Sequence, residues 1–393
     1  MHTRIARIEQ KIFKILLTDA IGDSTINHIT LLEFTVKRGI VMKILTNKAI
    51  ANTWYRKPLD GCVASNGSPY NITLKKGTVN KLLVNFVGGG LSWNEETAAK
   101  PMTMSRMIRG KESFYIPHIP LWQLNLIHVG LLNSKDSRNP FRDWNVLNIP
   151  YTTADFHIGN NEFPYKDSKG NNRVIYHNGE KNAEAALDVL KYYFPETPEV
   201  LLIAGQSAGG FGCVAHCPKI MRMYPNCDNV VVYSDGAHLH SPIWTNITAN
   251  VWKSCPNLLA HIKSNDLIVD LLHYAQKHMP PHTLFLHSVS AWDATLVNFM
   301  HKMNHGEMAI NQNSLNAFHE TLINAVKKLK GEITNYSYYI TDFGKKKDGT
   351  TPHVFCGTPK LLYSDMQYGV SIAKWLCRAI DKNPIDIGKH FLG

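Results

Sequence analysis

Apolar runs and stretches of helical period alternate along this chain once past residue 80. Lys81 to Val87, Trp144 to Tyr151, Val200 to Ala204, Asn229 to Tyr233, Thr283 to His287 and Asn335 to Ile340 each read as a short buried strand. Between them the period shifts from two towards 3.6. Asn178 is placed to cap a helix through about Tyr193, with Ala183, Ala186, Leu187 and Leu190 as its inner face and Pro195 and Pro198 closing it. Ser314 to Leu329 and Tyr363 to Ile380 read as further helices, and another begins just after Ser207. This recurrent strand-then-helix rhythm predicts an α/β protein built on a doubly wound, mostly parallel sheet.

Two stretches break the rhythm. Residues 94–140 are polar, carry Met and Pro, and have little periodicity; residues 241–280 are rich in Trp, His and Lys. Both are expected to be cap insertions over one end of the sheet, where binding specificity often resides. The first fifty residues stand apart as well. Ile5, Ile8, Ile12, Ile15 and Leu16 recur at helical spacing, with Arg4, Arg7, Lys11 and Lys14 on other faces. Such a helix can lie on a membrane surface or pack on a neighbour. The expected organisation is therefore an N-terminal extension, partly helical, over residues 1–50 and a single domain over residues 51–393. Glu9, Lys11 and Lys14 interrupt any signal-peptide core, so a cytoplasmic location is expected, with secretion by an unconventional route as the alternative.

Composition narrows the function classes. Of the 393 residues, 44% are hydrophobic and 19% charged, an ordinary globular balance with ample core material. The formal charge of +11 points towards acidic partners, but the basic residues are scattered. Their dense cluster, Lys345-Lys346-Lys347, sits among Gly and Asp as a solvated loop would, so a nucleic-acid partner is not expected. No apolar run is long enough to span a bilayer. Seven dispersed cysteines do not make a disulfide scaffold. Cys213, His216 and Cys217 imitate a metal spacing, but on a helix against a sheet small thiols are core residues. His238 and His240 near Asp235 are an equally thin signal, and no metal or cofactor is expected.

The chemistry concentrates at Gly205-Gln206-Ser207-Ala208-Gly209. An apolar strand, a Gly-x-Ser-x-Gly turn and a helix in succession are the context in which a serine protrudes as a nucleophile. Upstream, Lys81 to Val87 runs into Gly88-Gly89-Gly90, where backbone N–H groups can turn towards a bound oxygen and complete an oxyanion hole with Ala208. An acyl-transfer serine also needs a base and an acid to orient it. Downstream of Ser207, Asp235 and Asp293 each follow a strand, and His353 lies in a loop after the last one. Asp293 has the usual placement for the acid and Asp235 is the alternative. Asp155 and His157, past the end of the strand at Trp144, are possible substrate contacts, as are Asp235 and Trp93.

Four ordered motifs carry a resemblance. Gly88-Gly89-Gly90-Leu91-Ser92-Trp93-Asn94, Asn139-Pro140-Phe141-Arg142-Asp143-Trp144-Asn145, Ile149-Pro150-Tyr151 with Asp155-Phe156-His157-Ile158-Gly159, and Gly205 to Gly210 fall in the order of the pectin acetylesterase family. The chain resembles that family over roughly residues 52–380 and looks most like its bacterial members. The resemblance implies an α/β-hydrolase-fold serine esterase that needs no metal. It implies Ser207 as nucleophile, Asp293 as acid and His353 as base, with an oxyanion hole from the Gly89, Gly90, Leu91 turn and Ala208. An acetylated polysaccharide, or another polysaccharide or small-molecule O-acyl ester, is the substrate it suggests. Ser92 and Thr152 stand where many relatives carry cysteine, which suits a reducing compartment. A lipid deacylase or thioesterase on the same triad, and a non-catalytic binding protein on the same fold, are the rival readings.

Overall fold

The computed structural model describes residues 42–46 and 49–393, so the basic helix expected within residues 1–50 lies outside the described residues. Eight strands form one sheet: β1 (Trp54–Val63), β2 (Pro69–Lys75), β3 (Val79–Phe86), β4 (Trp144–Ile149), β7 (Val200–Gln206), β8 (Val230–Asp235), β9 (Leu284–Ser290) and β10 (Tyr336–Thr341). A separate hairpin pairs β5 (Asn161–Lys166) with β6 (Asn172–His177). The order across the sheet is β1-β2-β4-β3-β7-β8-β9-β10, and only β2 runs antiparallel to its neighbours. This mostly parallel sheet, with helices on its faces, is the α/β-hydrolase arrangement.

The longer helices among the described residues are α1 (Gly179–Tyr193), α2 (Ala208–Met223), α3 (Leu267–His278), α4 (Ala294–His305), α5 (Gln312–Glu332) and α6 (Ile372–Ile380). Parallel strands covered on both faces are apolar at nearly every position, and β7 is buried throughout apart from Gln206. Its side chains divide by the two-residue period. Leu201 and Ile203 enter one core, with Ala186 and Leu190 of α1 and Val214 of α2. Leu202 and Ala204 enter the other, with Trp375 and Leu376 of α6.

The six strands from β3 onward in the main sheet follow the sequence pattern to within a few residues, whereas β1, β2 and the β5–β6 hairpin have no counterpart in it. Two further features differ. The single helix expected from Tyr363 to Ile380 is divided into a short turn, Pro359–Tyr363, and α6. Tyr368 and Gly369 adopt left-handed backbone, at φ 51 and 71, and the Ser371 hydroxyl caps the new helix by accepting the Lys374 N–H at 3.2 Å. The 241–280 stretch is mostly short turns and helices, but its longest element, α3, packs along α2 beside the sheet. None of the helices among the described residues is long and apolar enough to cross a membrane.

Candidate active site

Ser207 stands between β7 and α2 at φ 54, ψ −125. A residue with a Cβ pays about 1–3 kcal/mol for such a conformation, so the surrounding structure must hold it there. The turn closes because Gly205 and Gly209 touch: a Cβ on Gly205 would lie 2.0 Å from the Gly209 carbonyl oxygen. The Ser207 N–H donates to the Asp235 carbonyl at 2.7 Å, tying the turn to β8.

Asp293 caps α4. Its Oδ1 accepts the N–H groups of Thr295 and Leu296, both at 3.0 Å, and its Oδ2 meets His353 Nδ1 at 2.7 Å. The carboxylate is fully buried, whereas the His353 side chain keeps 20% of its surface exposed. Thr351 laces the two loops together. Its N–H donates to the Trp292 carbonyl at 2.9 Å, its carbonyl accepts from Ala294 at 3.1 Å, and its hydroxyl accepts from Trp292 at 3.0 Å. Burial by itself would push the His353 imidazole down. The Asp293 charge and hydrogen bond, helped by the charge of Asp235, outweigh it and raise the imidazole above its ordinary value. Since Asp293 engages Nδ1, Nε2 is the nitrogen left for proton transfer.

The glycine turn after β3 presents fewer free donors than the sequence implied. The Leu91 N–H donates to the Phe114 carbonyl at 2.9 Å and is unavailable to an oxyanion. Among the described residues, the N–H groups of Gly89, Gly90 and Ala208 have no protein acceptor. Gly90 is at φ 83, and a Cβ there would lie 1.9 Å from the Phe114 carbonyl oxygen, so only glycine fits.

The other expected contacts sit behind the site. Asp155 is fully buried and accepts from the Thr153 hydroxyl at 2.6 Å, the His157 N–H at 3.1 Å and the Gly179 N–H at 2.7 Å. Burial pushes its carboxyl up to about 7 despite those donors. His157 is buried too, with Nε2 on the Val87 carbonyl at 2.9 Å and its imidazole pushed down to about 3. Asp235 accepts the Ser288 hydroxyl at 2.7 Å on one oxygen and the N–H groups of Phe355 and Cys356, at 2.7 and 2.8 Å, on the other. These three side chains are buried, with their hydrogen-bond partners drawn from the chain itself. Trp93 packs edge-on against Phe114, 5.3 Å between ring centres, and lines a neighbouring groove. The buried thiols of Cys213 and Cys217 donate within α2, and His216 Nε2 meets the His157 carbonyl at 2.7 Å.

Ser207, Ala208, the three glycines of the turn and His353 all line one cavity of about 420 Å³. Its walls are otherwise largely apolar, with Met102, Phe114, Ile116, Phe211, Leu239 and Phe299 prominent, and among the described residues His353 is the one acid–base side chain that lines it. Met102, Phe114 and Ile116 come from the 94–140 excursion, so that segment does reach over the cavity. Sequence reasoning missed this wall because its residues come from weakly periodic loops.

A model of the pectinacetylesterase family matches residues 45–265, more than half of the chain. That span holds the glycine turn and the Ser207 elbow; Asp293 and His353 lie beyond it. Pectin acetylesterase 4 of Arabidopsis thaliana is 28% identical over 153 residues, 39% of this chain and 34% of that relative's length. The similarity thus spans about a third of the relative.

Proposed function

We propose that this chain, which belongs to the pectinacetylesterase family, is a serine carboxylester hydrolase working through Ser207, His353 and Asp293. Members of the family are carboxylesterases. The observation that carries the reading is that the left-handed Ser207 and the His353 of a 2.7 Å histidine–aspartate pair line one cavity. In this mechanism His353 Nε2 takes the Ser207 proton as the Oγ attacks the ester carbonyl. The N–H groups of Gly89, Gly90 and Ala208 receive the oxyanion, and the imidazolium returns its proton to the leaving alcohol. A water molecule, deprotonated by the same imidazole, then releases the acid. Asp293 holds the Nδ1–H tautomer and stabilises the imidazolium without itself being protonated.

The relative's name makes an acetylated pectic polysaccharide the first substrate to try. The cavity favours a second reading. Its apolar walls and about 420 Å³ exceed what an acetyl group fills, which supports a longer acyl chain bound inward from Ser207. A series of p-nitrophenyl esters from acetyl to decanoyl, with Ser207→Ala as the blank, tests both. A kcat/KM falling steadily beyond acetyl supports the acetylesterase reading, whereas a rise towards six to ten carbons supports the longer acyl chain. Equal hydrolysis by wild type and Ser207→Ala would overturn the serine mechanism itself.

A further inference from the structure

We propose that His157 is a positioning residue that braces the two halves of the oxyanion hole against one another; this rests on Ser207 being the nucleophile. The two halves come from different parts of the chain. Gly89 and Gly90 follow β3 and the loop residue Val87, while Ala208 opens α2. His157 joins them through both its side chain and its backbone. Its Nε2 lies 2.9 Å from the Val87 carbonyl, and its own carbonyl lies 2.7 Å from His216 Nε2 on α2. Carbonyl oxygens only accept, so each imidazole must donate Nε2–H.

The contact with α2 is also steric. A Cβ on Gly212 would lie 2.7 Å from His157 Cδ2, so that helix rests directly on the imidazole. Phe86, the last residue of β3, sits between the two histidines, edge-on to His157 and stacked on His216. Val87, His157 and His216 thus form a continuous hydrogen-bonded link from the glycine turn to the nucleophile's helix.

The backbone holds His157 in a costly position. Ala154, Phe156 and His157 have φ values of 60, 56 and 64, left-handed for residues that carry a Cβ. Such strain persists only where the surroundings enforce it. Asp155 does so, by gathering the Thr153 hydroxyl and the His157 and Gly179 N–H groups. Burial keeps the imidazole neutral, so the brace is unaltered over the working pH range. A loop that needed only to close the chain has no reason to spend three strained residues on aiming one ring at the Val87 carbonyl.

The test compares His157→Leu, which removes the donor, with His157→Gln, whose amide nitrogen can replace Nε2. His157→Leu is expected to lower kcat on p-nitrophenyl butyrate by about 10²-fold while KM moves little, the signature of a misplaced transition-state contact. Inhibition by butylboronic acid, whose serine adduct places an oxygen in the hole, should weaken in parallel. His157→Gln should recover most of both. A folded His157→Leu whose kcat stays within about twofold of wild type, or whose KM rises while kcat holds, overturns the proposal. Should the leucine variant fail to fold, the wild-type imidazole still decides: a protected His157 Nε2–H resonance that persists from about pH 5 to pH 9 supports the brace, and a neutral ring whose proton sits on Nδ1, leaving Nε2 bare, overturns it. Wild type that neither hydrolyses esters nor takes a fluorophosphonate label on Ser207 would instead overturn the nucleophile assignment, and the brace with it.

Discussion

Asp235 holds Ser207 and the loop of His353 at once: its backbone carbonyl accepts the Ser207 N–H at 2.7 Å, and its carboxylate accepts the N–H groups of Phe355 and Cys356 at 2.7 and 2.8 Å. Asp235, the alternative to Asp293 in the proposed triad, therefore couples the Ser207 turn to the His353 loop. Replacement by alanine leaves two buried N–H groups without acceptors, at about 1–3 kcal/mol each. Asp235→Ala is expected to lose about 3 kcal/mol in urea unfolding and most of its kcat. Asp235→Asn keeps an oxygen for the two N–H groups and an amide for the Ser288 hydroxyl, so its midpoint should stay close to wild type. Equal stability and activity in the alanine variant would show the coupling to be idle.

The pH profile follows from His353. As the proposed base His353 must be neutral to act, and its imidazole is raised above the ordinary value of about 6.5, with Asp293 the main raising influence and Asp235 adding to it. The acid limb of kcat/KM should therefore have its midpoint above about 6.5. Asp235→Asn removes one raising charge, so the limb should move to lower pH. The sign for stability is opposite: the raised imidazole contributes fully below its unfolded value, and that contribution fades as pH rises through its folded one. A limb that stays in place in Asp235→Asn, measured with a soluble ester, would show that Asp235 acts only through the backbone.

Ser207 pays for its geometry. At φ 54 and ψ −125 any side chain is strained, and alanine keeps the Cβ that causes it. Ser207→Ala is expected to lose about 10⁴-fold or more in kcat with little change in unfolding midpoint. Ser207→Gly should be equally inactive yet more stable than Ser207→Ala by about 1 kcal/mol, because glycine relieves the left-handed strain. Thermal unfolding of both variants, side by side, checks it; a glycine variant that melts lower would mean that the elbow stores no strain.

These features differ in how far the sequence betrays them. β7 and its turn are legible because an apolar run, two flanking glycines and a serine are local requirements, set by sterics within five residues. β5 and β6 were missed although Phe163 and Tyr165 alternate with Glu162 and Lys166, because a two-stranded hairpin outside the main sheet leaves little apolar signal. Tertiary partners set the rest. Nothing local tells that the Leu91 N–H is taken by Phe114, or that Asp155 and His157 face inward to the backbone and not outward to a ligand. A polar residue at a strand end reads the same in either case until its neighbours are known.

Asp266 offers a test away from the cavity. It lies beside His238, with Oδ2 and Nδ1 3.5 Å apart, and both side chains are largely buried. The Thr321 hydroxyl donates to the Phe318 carbonyl at 2.9 Å, so it accepts from His238 Nε2 at 3.1 Å. That leaves the bare Nδ1 of a neutral His238 facing Asp266, an arrangement that favours a protonated carboxyl. Burial pushes Asp266 up to about 7, and it pushes His238 well below its ordinary value. A carboxyl raised in the folded state makes the native protein hold its proton where the unfolded chain has released it, so stability falls as pH rises from about 4 towards 7. Asp266→Asn removes that loss. The variant should therefore gain on wild type between pH 5 and pH 8 by at least about 1 kcal/mol, read as the difference in urea-unfolding free energy at the two values. A gap between the two proteins that does not change with pH would mean that Asp266 is already ionised at the lower value, paired with a charged His238.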